Sequence, residues 1–293
     1  QPGTTDIDGF TSPAVAAAFA GPNTRPAVRI YGAAYFGCEN FRDIPAIMFH
    51  AMYSAAHLPE NFELLHETDA YPGTRFFSSA KWMKNLLFCA FACGADDTLF
   101  LGTQPFIDNP LEDAGYFTML KRYRPRFDAY RAVLDGTVCE GIEIIHRPDS
   151  CCAVPMRGRS VPSWPTGAGA MWFGRMGIPF STHDMPVKLL FGRNVAVMGD
   201  DELQELLRGR LLIDAEAAIE LSRRGFAADI GVDANEMTWD AVCRIHKERP
   251  RNGGASGRDI QVLAYQMVEA RGYVMAELVP QGAEVASDFC SPD

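Results

Sequence analysis

The chain has 293 residues, 47% of them hydrophobic, and a formal net charge of -10. That acidic balance argues against nucleic acid and against an anionic membrane surface as partners, and the length allows more than one buried core. No apolar stretch approaches the length of a membrane-spanning helix, and the opening Gln1-Pro2-Gly3-Thr4-Thr5-Asp6 lacks the basic and apolar regions of a secretory leader, so a cytoplasmic protein is expected.

Read in chain order, residues 1–26 form a loop rich in Pro, Gly, Thr and Ala, with one short helical piece from Ser12 to Ala20. Ala27–Tyr35 reads as the first strand, Ile44–Ala56 as a helix with Pro45 in its first turn, and Phe62–His66 as the second strand. Ser78–Ala92 has helical apolar periodicity and stops at Gly94; Asp97–Gly102 is a strand and Gly115–Leu134 a helix. Strands alternating with helices predict parallel β/α units. Three strands before Asp135 are too few for a sheet covered on both faces, so this part reads as a section of a larger β/α architecture.

After Gly136 the pattern restarts. The spacing predicts strands at Gly141–His146, Ile178–Thr182, Asn194–Met198 and Leu211–Asp214. Between them it predicts helices at Ala168–Met176, at Asp200–Arg208 behind an Asp cap, and at Ala215–Arg224 before Gly225. This is the signature of an α/β unit of the flavodoxin-like kind. Beyond Asn235 come a polar loop, Arg249–Asp259, and two strand-like runs, Gly272–Val279 and Glu284–Phe289. The expected divisions are 1–135, 136–234 and a mixed or β-rich tail, 235–293.

The eight cysteines, Cys38, Cys89, Cys93, Cys139, Cys151, Cys152, Cys243 and Cys290, form no C-x-x-C pair. In a chain with this much apolar sequence they read as free thiols of a reducing compartment rather than as staples. The six histidines show no metal-ligand spacing; His183-Asp184 is an isolated loop pair, and no metal is expected. There is no P-loop or dinucleotide fingerprint, and Gly254-Ala255-Ser256-Gly257-Arg258 fails as a nucleophile elbow at its last position. No cofactor is expected.

Chemistry concentrates in Phe62–Phe76, where an apolar run ends in His66-Glu67-Thr68-Asp69 and a Tyr71-Pro72-Gly73 turn. A strand that stops where acids begin can deliver a carboxylate to the rim of an α/β sheet, which makes Glu67 the candidate catalytic residue. The competing reading is a solvated loop that caps the next helix. Asp69 would orient a neighbour or a sugar hydroxyl. Tyr31, Tyr35, Tyr71, Arg75 and Gln104 lie at or just past strand ends, where a sugar site needs aromatic platforms and polar groups. His66 points to the opposite face from Glu67 and is expected to pack or to bond a backbone group. Glu39 is displaced into a loop, and no second glutamate is as well placed as Glu67.

The run Glu67-Thr68-Asp69-Ala70-Tyr71-Pro72-Gly73-Thr74-Arg75-Phe76, followed by Ser78-Ser79-Ala80, resembles a stretch of the β-galactosidase-like glycoside hydrolases of clan A, near family 42. Tyr35, Arg42-Asp43-Ile44-Pro45, Tyr116 and Arg124-Pro125 are similar to the same group. In the second half, Gly177-Ile178-Pro179, Asp201–Ala218 and Arg223-Arg224-Gly225-Phe226 resemble the segment that follows the barrel there. The resemblance implies that residues 27–134 close a (β/α)8 barrel and that Glu67 is the nucleophile on its seventh strand, with Asp69, Tyr71 and Arg75 around it. It implies a carbohydrate substrate and an amidotransferase-like α/β domain, 136–234, that builds a homo-oligomer. The family's acid/base glutamate belongs to the fourth strand, so the chain reads as a portion without that half of the site. The alternative is a non-catalytic carbohydrate-binding or oligomerisation module.

Overall fold

The computed structural model describes residues 18, 20–30, 44–69, 78–101, 115–147, 149–150, 165–192, 194–261 and 274–290. They form a mixed α/β fold with parallel sheets and, among the described residues, nine helices. Two compact units divide the chain, Gln1–Lys188 and Leu189–Asp293.

The first unit is built on a parallel sheet of order β1 (Ala27–Ile30), β2 and β3, with α1 (Ile44–His57) between the first two strands in sequence. The central strand, β2 (Glu63–Asp69), is followed by α2 (Ala80–Ala92), β3 (Asp97–Leu101) and α3 (Tyr116–Leu134). Ala27 pairs with Glu63 and Leu65 with Asp97, which sets both registers. Because side chains alternate along a strand, Val28, Ile30, Leu64, His66 and Thr68 share one buried face. Against that face lie Ile47 and Ala51 of α1 and Leu86 and Ala90 of α2. Trp82, Met83, Leu87 and Phe91 of α2 meet Tyr116, Met119 and Phe127 of α3 in a common core.

The helix α2 begins two residues later than its apolar pattern suggests because Ser79 caps it, its side chain accepting from Trp82 N at 3.1 Å. It ends at Gly94, whose φ of +93° suits the left-handed turn and whose missing Cβ would lie 2.8 Å from Ala55 Cβ. β4 (Ile142–Ile144) pairs in parallel with β5 (Phe180–Ser181), and α4 (Pro165–Met176) lies between them in sequence. α4 packs against α1, so close at one point that a Cβ on Gly174 would sit 2.3 Å from Pro45 Cγ.

The boundary between the units falls inside β6 (Val187–Leu190), a strand that the sequence pattern did not mark. The expected strand Asn194–Met198 is instead a single helical turn, α5 (Asn194–Val197). Asn194 Nδ2 donates to Phe191 O at 2.7 Å and closes that turn, and four residues are too few for periodicity to separate strand from helix. In α6 (Asp200–Leu207) the cap is Gly199 rather than an Asp; Asp200 is the first helical residue, and its carboxylate pairs with Arg224. β7 (Arg210–Ile213) leads into α7 (Ala215–Arg223), where Asp214 does cap, accepting from Ala217 N at 2.8 Å.

The remainder of the second unit is antiparallel. α8 (Ala227–Ile230) precedes β8 (Val232–Glu236), and α9 (Trp239–Cys243) precedes β9 (Lys247–Pro250) and β10 (Ile260–Gln261). β8 pairs with β11 (Ala276–Pro280), while β9 lies between β10 and β12 (Ser287–Cys290). Among the described residues no helix is long and apolar enough to cross a membrane.

Candidate functional site

The parallel registers bring two charged side chains together on the sheet face opposite α1 and α2. Ile30 stands opposite His66 and Arg29 opposite Leu65, so Arg29 and Glu67 share a face and meet diagonally across the β1–β2 ladder. Arg29 Nη1 forms an ion pair with Glu67 Oε1, the two side chains being 22% and 12% exposed. The second oxygen, Glu67 Oε2, is buried with no hydrogen-bond partner among the described residues. A buried carboxylate oxygen left without a donor is costly, and a ligand that supplied a contact there would relieve it. On the β3 side Glu67 is opposite Leu99, which is 47% exposed.

Glu67 does not sit past the strand, as the sequence suggested; β2 runs on to Asp69. Asp69 lies two residues further along the same strand, with its backbone opposite Leu101, and its side chain is outside the description. Tyr31, Tyr35, Glu39, Tyr71, Arg75 and Gln104 lie outside the described residues. Arg29 is the residue that sequence reasoning missed. Its signal, the alternation in Ala27-Val28-Arg29-Ile30, becomes usable only when the neighbouring strand and its register are known.

Behind Glu67, on the helix-covered face, His66 is completely buried. Its Nδ1 is 2.9 Å from Thr68 Oγ1, Thr98 Oγ1 is 2.6 Å from Thr68 Oγ1, and Thr98 Oγ1 also lies 2.9 Å from His66 O. Each hydroxyl carries one proton, so the chain can be satisfied in one sense only if Thr98 donates to the His66 carbonyl and Thr68 donates to Thr98. His66 Nδ1–H then donates to Thr68, and Nε2, which has no partner among the described residues, is a bare lone pair. The reverse sense would leave a buried N–H without an acceptor, which costs more. His66 lines an apolar pocket with Ile44, Met48, Leu86 and Cys89 that has no room for water, and burial pulls its pKa from 6.5 down to about 4. It therefore packs as expected, but it bonds a threonine hydroxyl rather than the backbone.

Asp184 is ion-paired with Lys188, whose hydrogen bond holds the Asp184 carboxyl below the usual range, and Glu143 of β4 takes the same ammonium. Among the described residues no group of three or more His, Cys, Asp or Glu could hold a metal ion. Cys89, Cys93, Cys139, Cys243 and Cys290 are free thiols, and burial raises the first three above the ordinary thiol pKa.

The class defined at this level is a mixed α/β protein with an Arg–Glu pair on one face of a parallel sheet. Comparison with family models, with curated proteins and with solved structures gives no match for the chain.

Proposed function

We propose that this chain supplies the nucleophile side of a retaining glycosidase, β-galactosidase-like and of clan A, with Glu67 attacking the anomeric carbon of a carbohydrate. The observation that carries this reading is the Glu67 carboxylate itself. One oxygen is fixed by Arg29, the other is buried without a partner among the described residues, and both stand near the carboxyl end of a parallel strand. In such a reaction Oε2 would bond to the sugar carbon as the leaving oxygen departs with a proton from a second carboxyl. Arg29 would hold Oε1 still and keep the attacking oxygen aimed. Water would then displace the sugar from Glu67, with the second carboxyl acting as base.

A parallel sheet with helices on one face fits the wall of a barrel, the other face being the barrel interior. In this proposal residues 1–135 are the closing part of a (β/α)8 barrel, and the resemblance makes 136–234 an amidotransferase-like domain that assembles a homo-oligomer, in a cytoplasmic hydrolase. The retaining mechanism needs a second carboxyl roughly 5–5.5 Å from the first. Among the side chains described on this face, Glu63 and Asp97 both stand at the starts of their strands, away from Glu67. In this proposal the acid/base group is not among the side chains described on this face. The same observation favours the second reading, a non-catalytic carbohydrate-binding or oligomerisation module.

A mechanism-based 2-fluoro-galactoside, followed by digestion and mass spectrometry, tests the first reading on the complete gene product. The expected adduct lies on the peptide containing Glu67, and Glu67→Gln should lower turnover of an aryl β-galactoside about 10⁴-fold or more. Turnover that survives Glu67→Gln, or an adduct on another residue, sinks the assignment.

A further inference from the structure

His66 has a supporting shell that its packing role does not require. Its Nδ1–H donates to Thr68, Thr68 to Thr98, and Thr98 to the His66 carbonyl. A ring held in this way presents Nε2 as a lone pair of fixed direction. Metal-bound histidines are held the same way, their other nitrogen donating to a fixed acceptor. His66 is completely buried, and Nε2 has no hydrogen-bond partner among the described residues. An acceptor buried in that state is costly, and a group that took its electron pair would remove the cost.

Two sulfur side chains share its pocket. Met48 of α1 and Cys89 of α2 line the same cleft as His66, and among the described residues the rest of the wall is aliphatic. The three donors thus come from a strand and from the two helices packed on it. Only two of them are of the His, Cys, Asp or Glu kind; the third is a thioether. Water does not fit the pocket. Metal–ligand bonds of roughly 2.0–2.3 Å are shorter than water's hydrogen bonds of about 2.7–3.0 Å, so an ion can enter where water cannot. Met48 and Cys89 are half-buried rather than sealed, which leaves a way in.

We infer that His66 Nε2, Cys89 Sγ and Met48 Sδ form a site for one monovalent copper ion between β2, α1 and α2. Thiolate and thioether are soft donors that select Cu(I), and imidazole suits copper as well. Charge decides between Cu(I) and a divalent ion. Burial holds Cys89 as a neutral thiol, and a metal-bound thiol is deprotonated. Thiol plus Cu(I) therefore gives a neutral thiolate complex and one released proton. A neutral complex can stay in an apolar pocket, whereas a divalent ion would leave an uncompensated positive charge there. Among the described residues no carboxylate lines the pocket to offset it. The site lies on the opposite face of β2 from Glu67 and needs no part of the glycosidase reading.

Anaerobic titration of the reduced full chain with Cu(I), against bicinchoninate as competitor, tests the site. The tightest equivalent should release one proton per ion, and Zn(II) in about tenfold excess should not displace it. Cys89→Ser should remove that equivalent, and Met48→Leu should weaken it about tenfold or more. Cys243→Ser, at an exposed thiol of the second unit, should leave it unchanged. Met48→Leu nearly conserves volume and keeps the wall apolar, so a loss there does not come from unfolding. X-ray absorption of the one-equivalent complex should show nitrogen as well as sulfur bound to copper. Wild type that takes no Cu(I) from the competitor overturns the inference, as does a tightest equivalent that keeps full affinity in Met48→Leu or Cys89→Ser. An all-sulfur coordination shell or displacement by Zn(II) overturns it as well.

Discussion

Arg29 and Glu67 meet across two parallel strands, with Arg29 Nη1 on one carboxylate oxygen and nothing among the described residues on the other. Both side chains are mostly buried, so each supports the other against desolvation, and removing one exposes the cost of the other. Arg29→Met should therefore destabilise the protein by about 2–3 kcal/mol, a value reduced from the fully buried case because both groups retain some solvent contact. Urea unfolding of Arg29→Met and of the double variant with Glu67→Gln checks this. The double variant should recover most of the loss; if it is as unstable as the single one, the pair is not the source.

His66 makes stability depend on pH. Its folded pKa is about 4, while the unfolded chain keeps the ordinary 6.5. The unfolded state takes up a proton first as pH falls, so the full contribution is present above 6.5 and is lost progressively down to 4. The total should be about 3 kcal/mol, from the 1.36 kcal/mol that each pKa unit represents. Unfolding midpoints measured across that window in wild type and in His66→Leu separate this from the carboxylates. Equal slopes in the two proteins would show that His66 is not the titrating group.

Several helix ends in both units are legible in the sequence because their signals are local. Gly94 ends α2 and Gly225 ends α7, as expected of the residue that best performs such a turn, while Ser79 and Asp214, read as part of the helix and as the end of a strand, turn out to be caps. Register is not local. Arg29 looks like any solvated strand residue until Ile30 is set opposite His66, and Thr68 and Thr98 are two unrelated threonines until β2 and β3 pair. Asn194-Val195-Ala196-Val197 misleads for another reason. Its β-branched residues favour a strand, but the buried Asn194 side chain turns the backbone first.

The threonine pair should show an order of effects that follows from the proton count. Thr68→Val leaves His66 Nδ1–H, fixed by its ring, buried without an acceptor, whereas Thr98→Val leaves without one only the Thr68 O–H, which can rotate. The first should cost about 2–3 kcal/mol and the second about 1 kcal/mol. Denaturant unfolding of both variants in the same buffer reads the difference. An equal or reversed order would mean that His66 holds its proton on Nε2 instead.

The close approach of α4 to α1 gives a steric prediction. A Cβ on Gly174 would lie 2.3 Å from Pro45 Cγ and 2.4 Å from Pro45 Cβ, and a proline ring cannot swing aside as a flexible side chain could. Gly174→Ala gains helix propensity, worth up to about 1 kcal/mol, but forces the two helices apart, at a cost of about 1–3 kcal/mol or more. The net effect should be destabilising, with a weakened near-ultraviolet signal. Gly254→Ala is the matched control, since nothing lies within 4 Å of its added methyl, and should stay within about 0.5 kcal/mol of wild type. If Gly174→Ala proved as stable as that control, α4 would not be seated on Pro45 in solution.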